Sequence, residues 1–134
     1  MKISFPFEYI TDNTFGKIYR PYATLYVLNK NTGIYIKRTL IVDSGADFTL
    51  FPRINASLFG VDIEKETEKS QTFGVGGKET VYLYKNLPIR MGEVKLKIPV
   101  GFIDRNDVPA LLGRQHFMEL FKVTFERFKT VFQK

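Results

Sequence analysis

A chain of 134 residues with 20 Lys and Arg against 14 Asp and Glu, a formal net charge of +6 and 44% hydrophobic residues is neither disordered nor fibrous, and its length suits one compact domain, 1–134. Having no cysteine, it is excluded from disulfides, thiol nucleophiles and Cys-based zinc or iron–sulfur sites, and the single histidine, His116, supplies no multi-His metal centre and reads as a surface or packing residue. Carboxylate, hydroxyl, amine and backbone chemistry remain, with no cofactor and no metal expected.

The start, MKISFPFEYITDNTF, has charge and proline where a signal peptide needs an apolar core. No later stretch approaches the roughly 18 to 20 apolar residues of a membrane span. A soluble, cytoplasmic protein without a membrane partner is expected. The stretch up to about Arg20 carries no assignable pattern. Tyr22 to Asn29 and Ile34 to Val42 are rich in Tyr, Leu, Val and Ile and flank the polar Lys30-Asn31-Thr32-Gly33, which predicts a β-hairpin. Asn55-Ala56-Ser57-Leu58-Phe59 predicts a short helix capped by Asn55 and ended by Gly60. The charged run from Asp62 to Lys69 reads as a solvated loop or exposed strand. Val94 to Ile98 alternates apolar and basic residues, the mark of a half-buried strand. Phe117, Leu120 and Phe121 share one face of a helix predicted over Arg114 to Phe121. Strand character returns from Phe121 to Glu126, and Lys129 to Phe132 can pair with it or with another chain. The fold class is therefore all-β, a small closed β-barrel or sandwich with one or two short helices.

The sharpest chemical signal is Ile41-Val42-Asp43-Ser44-Gly45-Ala46-Asp47. An apolar strand delivers a carboxylate to its rigid end, Gly45 lets the backbone turn sharply, and Ser44 can hydrogen-bond to a neighbour. The alternative is an Asp that merely closes an Asx-turn. Downstream, Gly74-Val75-Gly76-Gly77 lies between strand-like segments, as a mobile hairpin tip would. It is no phosphate loop, because Thr72 stands where the Walker pattern needs Gly and Glu79 where it needs Ser or Thr; the dinucleotide fingerprint fails at Glu79 as well. Last comes Val108-Pro109-Ala110-Leu111-Leu112-Gly113-Arg114, an apolar run closing on Gly.

In this order, over Tyr22 to Glu126, these motifs resemble the retropepsin-like family of aspartic peptidases, and its cellular members more than its viral ones. The resemblance implies Asp43 as the catalytic aspartate within Asp43-Ser44-Gly45, with the Ser44 hydroxyl tying the two halves of the site together. Ala46 belongs to the turn beyond it, on the substrate side. Gly74, Val75, Gly76 and Gly77 would form a flap over bound peptide, and Leu111, Leu112 and Gly113 would pack behind the active-site loop. Asp47 and Arg114 would pair bidentately in structural support. Ser in place of the commoner Thr, and the charge before the flap, depart from the viral pattern.

Aspartic peptidases need two carboxylates sharing a proton, and Asp43-Ser44-Gly45 occurs once. The second must come from another copy, so a homodimer is implied, with an extended peptide or protein substrate. The chain ends, Ile3 to Phe7 and Val131-Phe132, are then candidates for an intersubunit sheet. Two other readings stand beside the peptidase: a non-catalytic dimeric peptide-binding module of the same fold, and a basic β-barrel binding single-stranded nucleic acid through Tyr82, Tyr84 and Phe102. The dispersed basic residues argue against specific nucleic-acid binding.

Overall fold

The computed structural model describes residues 1–74 and 76–134. In chain order, β1 (Lys2–Pro6) is followed by β2 (Glu8–Asn13) and β3 (Gly16–Arg20), then β4 (Tyr22–Leu28), β5 (Tyr35–Val42) and β6 (Thr49–Pro52). Two one-turn helices, α1 (Asn55–Leu58) and α2 (Ile63–Glu66), precede β7 (Glu68–Gly74), β8 (Gly77–Met91) and β9 (Val94–Ile103). After the short β10 (Leu111–Leu112) come a 3-10 turn at Met118–Leu120, β11 (Lys122–Glu126) and β12 (Lys129–Gln133).

Period-two patterning builds the central sheet. Along β4 the buried positions are Ala23, Leu25 and Val27, and their neighbours are half-buried, so one face of the strand is core. The predicted hairpin forms: β4 and β5 pair antiparallel from Tyr22↔Ile41 to Leu28↔Tyr35, and Gly33 takes φ +74° in the connection. The sheet runs β4-β5-β10-β6-β9-β8-β7, and β8 also pairs with β4 through Tyr26↔Arg90 and Val27↔Ile89. That last pairing closes a barrel and leaves β7 as a hairpin arm on β8. β8 serves both because its register shifts between Tyr84 and Leu87, a bulge that turns its two halves toward different neighbours. The alternation predicted for Val94 to Ile98 holds and continues to Val100, after which Gly101 and Phe102 are both buried. Inside the barrel Phe51, Phe59 and Phe102 pack with ring centroids 5.0 to 6.3 Å apart.

The chain ends form a separate three-stranded sheet, β1-β12-β11, with Ile3 opposite Phe132 and Val123 on its other side. The strand segments expected to bridge two subunits thus pair with each other within one chain. Phe117, Phe121 and Phe132 fill the space beneath them. The unassigned N-terminal stretch folds into a two-stranded hairpin, β2–β3, which joins neither larger sheet.

Three local expectations need correction. Asn55 does not cap α1; Ile54 occupies that position without a side-chain bond, while Asn55 is buried and accepts from Arg38 Nε at 2.7 Å. The charged run contains α2, capped by Asp62, whose side chain accepts from the Glu64 and Lys65 amides, with the Glu66 carboxylate returning to the Asp62 amide at 2.7 Å. The helix predicted over Arg114 to Phe121 shrinks to the 3-10 turn. His116 sits at φ +56°, outside helical backbone, and interrupts the run; Phe117 is buried while Leu120 is 45% exposed. Among the described residues no helix is long and apolar enough to cross a membrane.

Candidate active site

Asp43 follows directly on β5, and three backbone bonds fix that strand end. Ile41 N donates to Ala110 O at 3.0 Å, Val42 N to Pro21 O at 2.9 Å and Asp43 N to Leu112 O at 3.0 Å. β10 is the keystone: Leu111 and Leu112 pair parallel with Ile41 and Val42, and Leu111 also pairs with Leu50 of β6. The loop Asp43 to Phe48 is thereby stretched between two strands held by a third. Leu112 is fully buried behind it, as expected for the apolar run, whereas Leu111 faces the cleft.

Within the loop, Gly45 N donates to Asp43 Oδ1 at 2.9 Å and Ala46 N to Asp43 O at 3.1 Å. Asp43 therefore does make the Asx-turn, and the turn itself orients the carboxylate through Oδ1. Arg114 N and Gln115 N donate to Ala46 O and Asp47 O at 3.1 and 2.7 Å, and Gly113 N donates to Thr49 Oγ1 at 3.1 Å. Gly113 is obligatory for this docking, because a Cβ there would lie 2.3 Å from the backbone C and O of Phe48. Ser44 is exposed.

Asp47 and Arg114 meet as the resemblance implies, but through one contact, Arg114 Nη2 to Asp47 Oδ1 at 2.7 Å. The bidentate geometry is absent: Arg114 Nε is buried without a partner among the described residues. Both side chains are substantially exposed, at 42% and 73%, so solvent screens the pair.

A cleft of about 640 Å³ opens above Asp43, Gly45 and Ala46. Its walls are Phe48, Leu50, Ile103 and Leu111, and its roof is Thr72, Phe73 and Glu79 from the β7–β8 arm. That arm closes with Gly74 opposite Gly77, which takes φ +102°; no atom lies within 4 Å of a Cβ built on Gly76 or Gly77. Gly76 and Gly77 thus have open space beside them among the described residues. Val75 lies outside the described residues.

Three further residues in and around the cleft, Glu79, Thr49 and Gly101, were not singled out as site residues from the sequence, and Glu79 carried no local signal for its ion pair. Glu79 is bonded by Arg105 Nη1 at 2.9 Å, and Arg105 also holds both oxygens of Asp107 at 2.8 and 2.9 Å. Asp107 and Glu79 hold the Arg105 guanidinium above its usual range, and Arg105 in turn draws Asp107 below the usual carboxylate range. Thr49 was detectable as a polar residue in an otherwise apolar strand. Gly101 was detectable as a lone glycine in a strand, since a Cβ there would come within 3 Å of Val81, Phe48 and Leu50.

The exposed-aromatic surface for nucleic acid does not form. Phe102 is fully buried, and Tyr82 and Tyr84 are half-buried with Arg53 and Lys30 over their rings at 4.9 and 5.6 Å. His116 is exposed, as expected.

Comparison with known proteins agrees with this geometry. No curated protein matches the sequence. The whole fold is similar to the crystal structure of a retropepsin-like aspartic protease from Rickettsia conorii, with a TM-score of 0.66 and 19% identity over 98% of each chain. Residues 31–115, which span Asp43-Ser44-Gly45, the β7–β8 arm and Leu111-Leu112-Gly113-Arg114, match the family described as aspartyl protease. With its motifs in that order on a retropepsin-like barrel, the chain belongs to the aspartyl protease family.

Proposed function

We propose that residues 1–134 form one peptidase domain that works as a homodimer, hydrolysing peptide bonds with Asp43 of each copy. The observation that carries this reading is the backbone clamp on Asp43, which holds a carboxylate at the floor of a cleft roofed by a glycine-tipped hairpin. One such carboxylate is insufficient. Two Asp43 side chains within hydrogen-bonding distance cannot both ionise, so one stays protonated. The ionised member takes a proton from water as the oxygen attacks the scissile carbonyl carbon, and the protonated member donates to the carbonyl oxygen. Collapse of the tetrahedral diol breaks the C–N bond as the leaving nitrogen accepts a proton from the dyad.

The remaining residues support substrate binding. The apolar cleft walls and the β7–β8 arm suit an extended peptide held by main-chain bonds, with side chains in alternate pockets. Gly76 and Gly77 let the arm tip approach the peptide backbone, and closing over it excludes water. Ser44 is assigned to bridging the two loops at the axis.

The test is hydrolysis of a peptide library by the wild type and by Asp43→Asn, with sedimentation equilibrium on both. Dimeric wild type with turnover that Asp43→Asn abolishes supports the reading. A strict monomer, or turnover retained by the mutant, sinks it. Peptide binding by a dimer without turnover assigns the fold to a binding module.

A further inference from the structure

The β2–β3 hairpin carries more exposed apolar surface than an appendage of its size needs. It is paired to neither larger sheet, and an isolated two-stranded hairpin is marginal in water. Yet Phe15 at its turn is 96% exposed, Tyr9 54% and Tyr19 39%. Polar details hold the turn in place: Asn13 Oδ1 accepts from Phe15 N at 2.8 Å, and Gly16 takes φ +113°.

The aromatic surface continues onto the terminal sheet. Tyr9 packs on Tyr19, Tyr19 on Phe128, Phe128 on Phe7 and Phe7 on Phe125, all edge-to-face with centroids 5.3 to 6.2 Å apart. Phe125 and Phe128 are 49% and 65% exposed. Phe128 stands in the β11–β12 turn at φ +61°, beside Arg127 at φ +48°. Such turns favour Asn and Gly, so a bulky aromatic side chain is held outward against its own backbone preference.

We infer that the β2–β3 hairpin is a dimerisation arm, its aromatic face seated on a second copy of this chain. The inference rests on the homodimer reading and names the surface that makes the dimer. Location argues for that occupant. Pro21, directly after β3, accepts from Val42 N at 2.9 Å, so the arm is rooted one residue before Asp43, where the second chain must stand. Area argues for it too. A stable interface buries about 800 Å² per partner, more than the small residues Asp43 to Ala46 can offer. The rings of Tyr9, Phe15, Tyr19, Phe125 and Phe128 expose roughly 600 Å², taking about 200 Å² for a whole aromatic side chain. Charge agrees: the arm carries Glu8 and Asp12 against Lys17 and Arg20, which suits a self-complementary two-fold contact better than an anionic membrane.

The test is sedimentation equilibrium on the wild type, Phe15→Ser and the pair Tyr9→Ser with Phe15→Ser, with far-UV circular dichroism as the folding control. The dimer Kd is expected to rise on the order of tenfold for the single change and a hundredfold for the pair. Activity should recover the wild-type kcat above the raised Kd, because the cleft is untouched. Should the pair disturb the hairpin, a benzophenone attached at Phe15→Cys, the only thiol in the chain, should photocross-link two copies. A dimeric wild type whose Kd neither variant moves, or a label that adds no second chain, overturns the arm alone. Dimerisation without peptide hydrolysis overturns the peptidase reading alone, and a strictly monomeric wild type overturns both. Loss of binding to phosphatidylcholine vesicles in Phe15→Ser, with Kd unmoved, would reassign the hairpin to a membrane.

Discussion

Gly113 and Arg114 are neighbours with opposite tolerance. A Cβ on Gly113 would overlap the backbone of Phe48, and backbone clamped between β6 and β10 has nowhere to move. Gly113→Ala should therefore cost about 3 kcal/mol or prevent folding, read from the denaturant midpoint. Arg114→Ala loses an exposed ion pair worth about 1 kcal/mol or less. It also removes a buried, unpartnered Nε, whose desolvation cost opposes that loss. Its backbone bond to Ala46 O survives any side-chain change. The expected result is a melting temperature within a few degrees of wild type; a collapse comparable to Gly113→Ala would show that Arg114 does more than pair with Asp47.

At the level of elements, the β7–β8 arm is tied to the barrel through Glu79, two pairs from its tip. Arg105 joins Glu79 on β8 to Asp107 in the loop after β9, so Arg105→Ala should loosen the roof of the cleft. A severalfold rise in KM, with the melting temperature nearly unchanged, is expected from steady-state kinetics beside thermal unfolding. A second tie, Lys30 to Glu66, links the β4–β5 loop to α2. Lys30 draws the Glu66 carboxyl below its usual range, and Glu66 raises Lys30. A lowered carboxyl pKa contributes stability that is present above the ordinary carboxylate range and disappears as pH falls through the lowered value. The raised Lys30 contributes below its ordinary range and is lost as pH rises through its folded value. Urea midpoints should decline modestly below about pH 4, and less so in Lys30→Met. Such ties join residues far apart in sequence, which is why patterning missed them. Strands and the turn at Asp43 were legible because alternation and Asp-Ser-Gly are local; the Arg114 to Phe121 segment misled because His116 takes φ +56° and breaks the helical run, a backbone choice that period-3.6 spacing does not register. The β2–β3 hairpin escaped because its aromatics face outward, leaving no alternation between core and solvent to read.

For the whole molecule, the closed barrel supplies one carboxylate and one roof, and the proposed activity belongs to a pair of barrels. Because one Asp43 must keep its proton while the other ionises, activity should fall as pH rises past the second ionisation; a rate climbing into the alkaline range would contradict a shared proton. Mixing separates this mechanism from a monomeric one more sharply than pH does. When wild type is exchanged with an equal amount of Asp43→Asn, a variant expected to fold and dimerise normally, random pairing leaves about a quarter of the dimers with two carboxylates. Mixed dimers retain a cleft but hold only one ionisable Asp43, and cannot both activate water and protonate the carbonyl oxygen. The specific rate per dimer should thus follow the square of the wild-type fraction. A monomeric enzyme would lose activity in simple proportion, keeping half, so a titration of mutant into wild type at concentrations well above the dimer Kd decides how many Asp43 side chains each turnover uses.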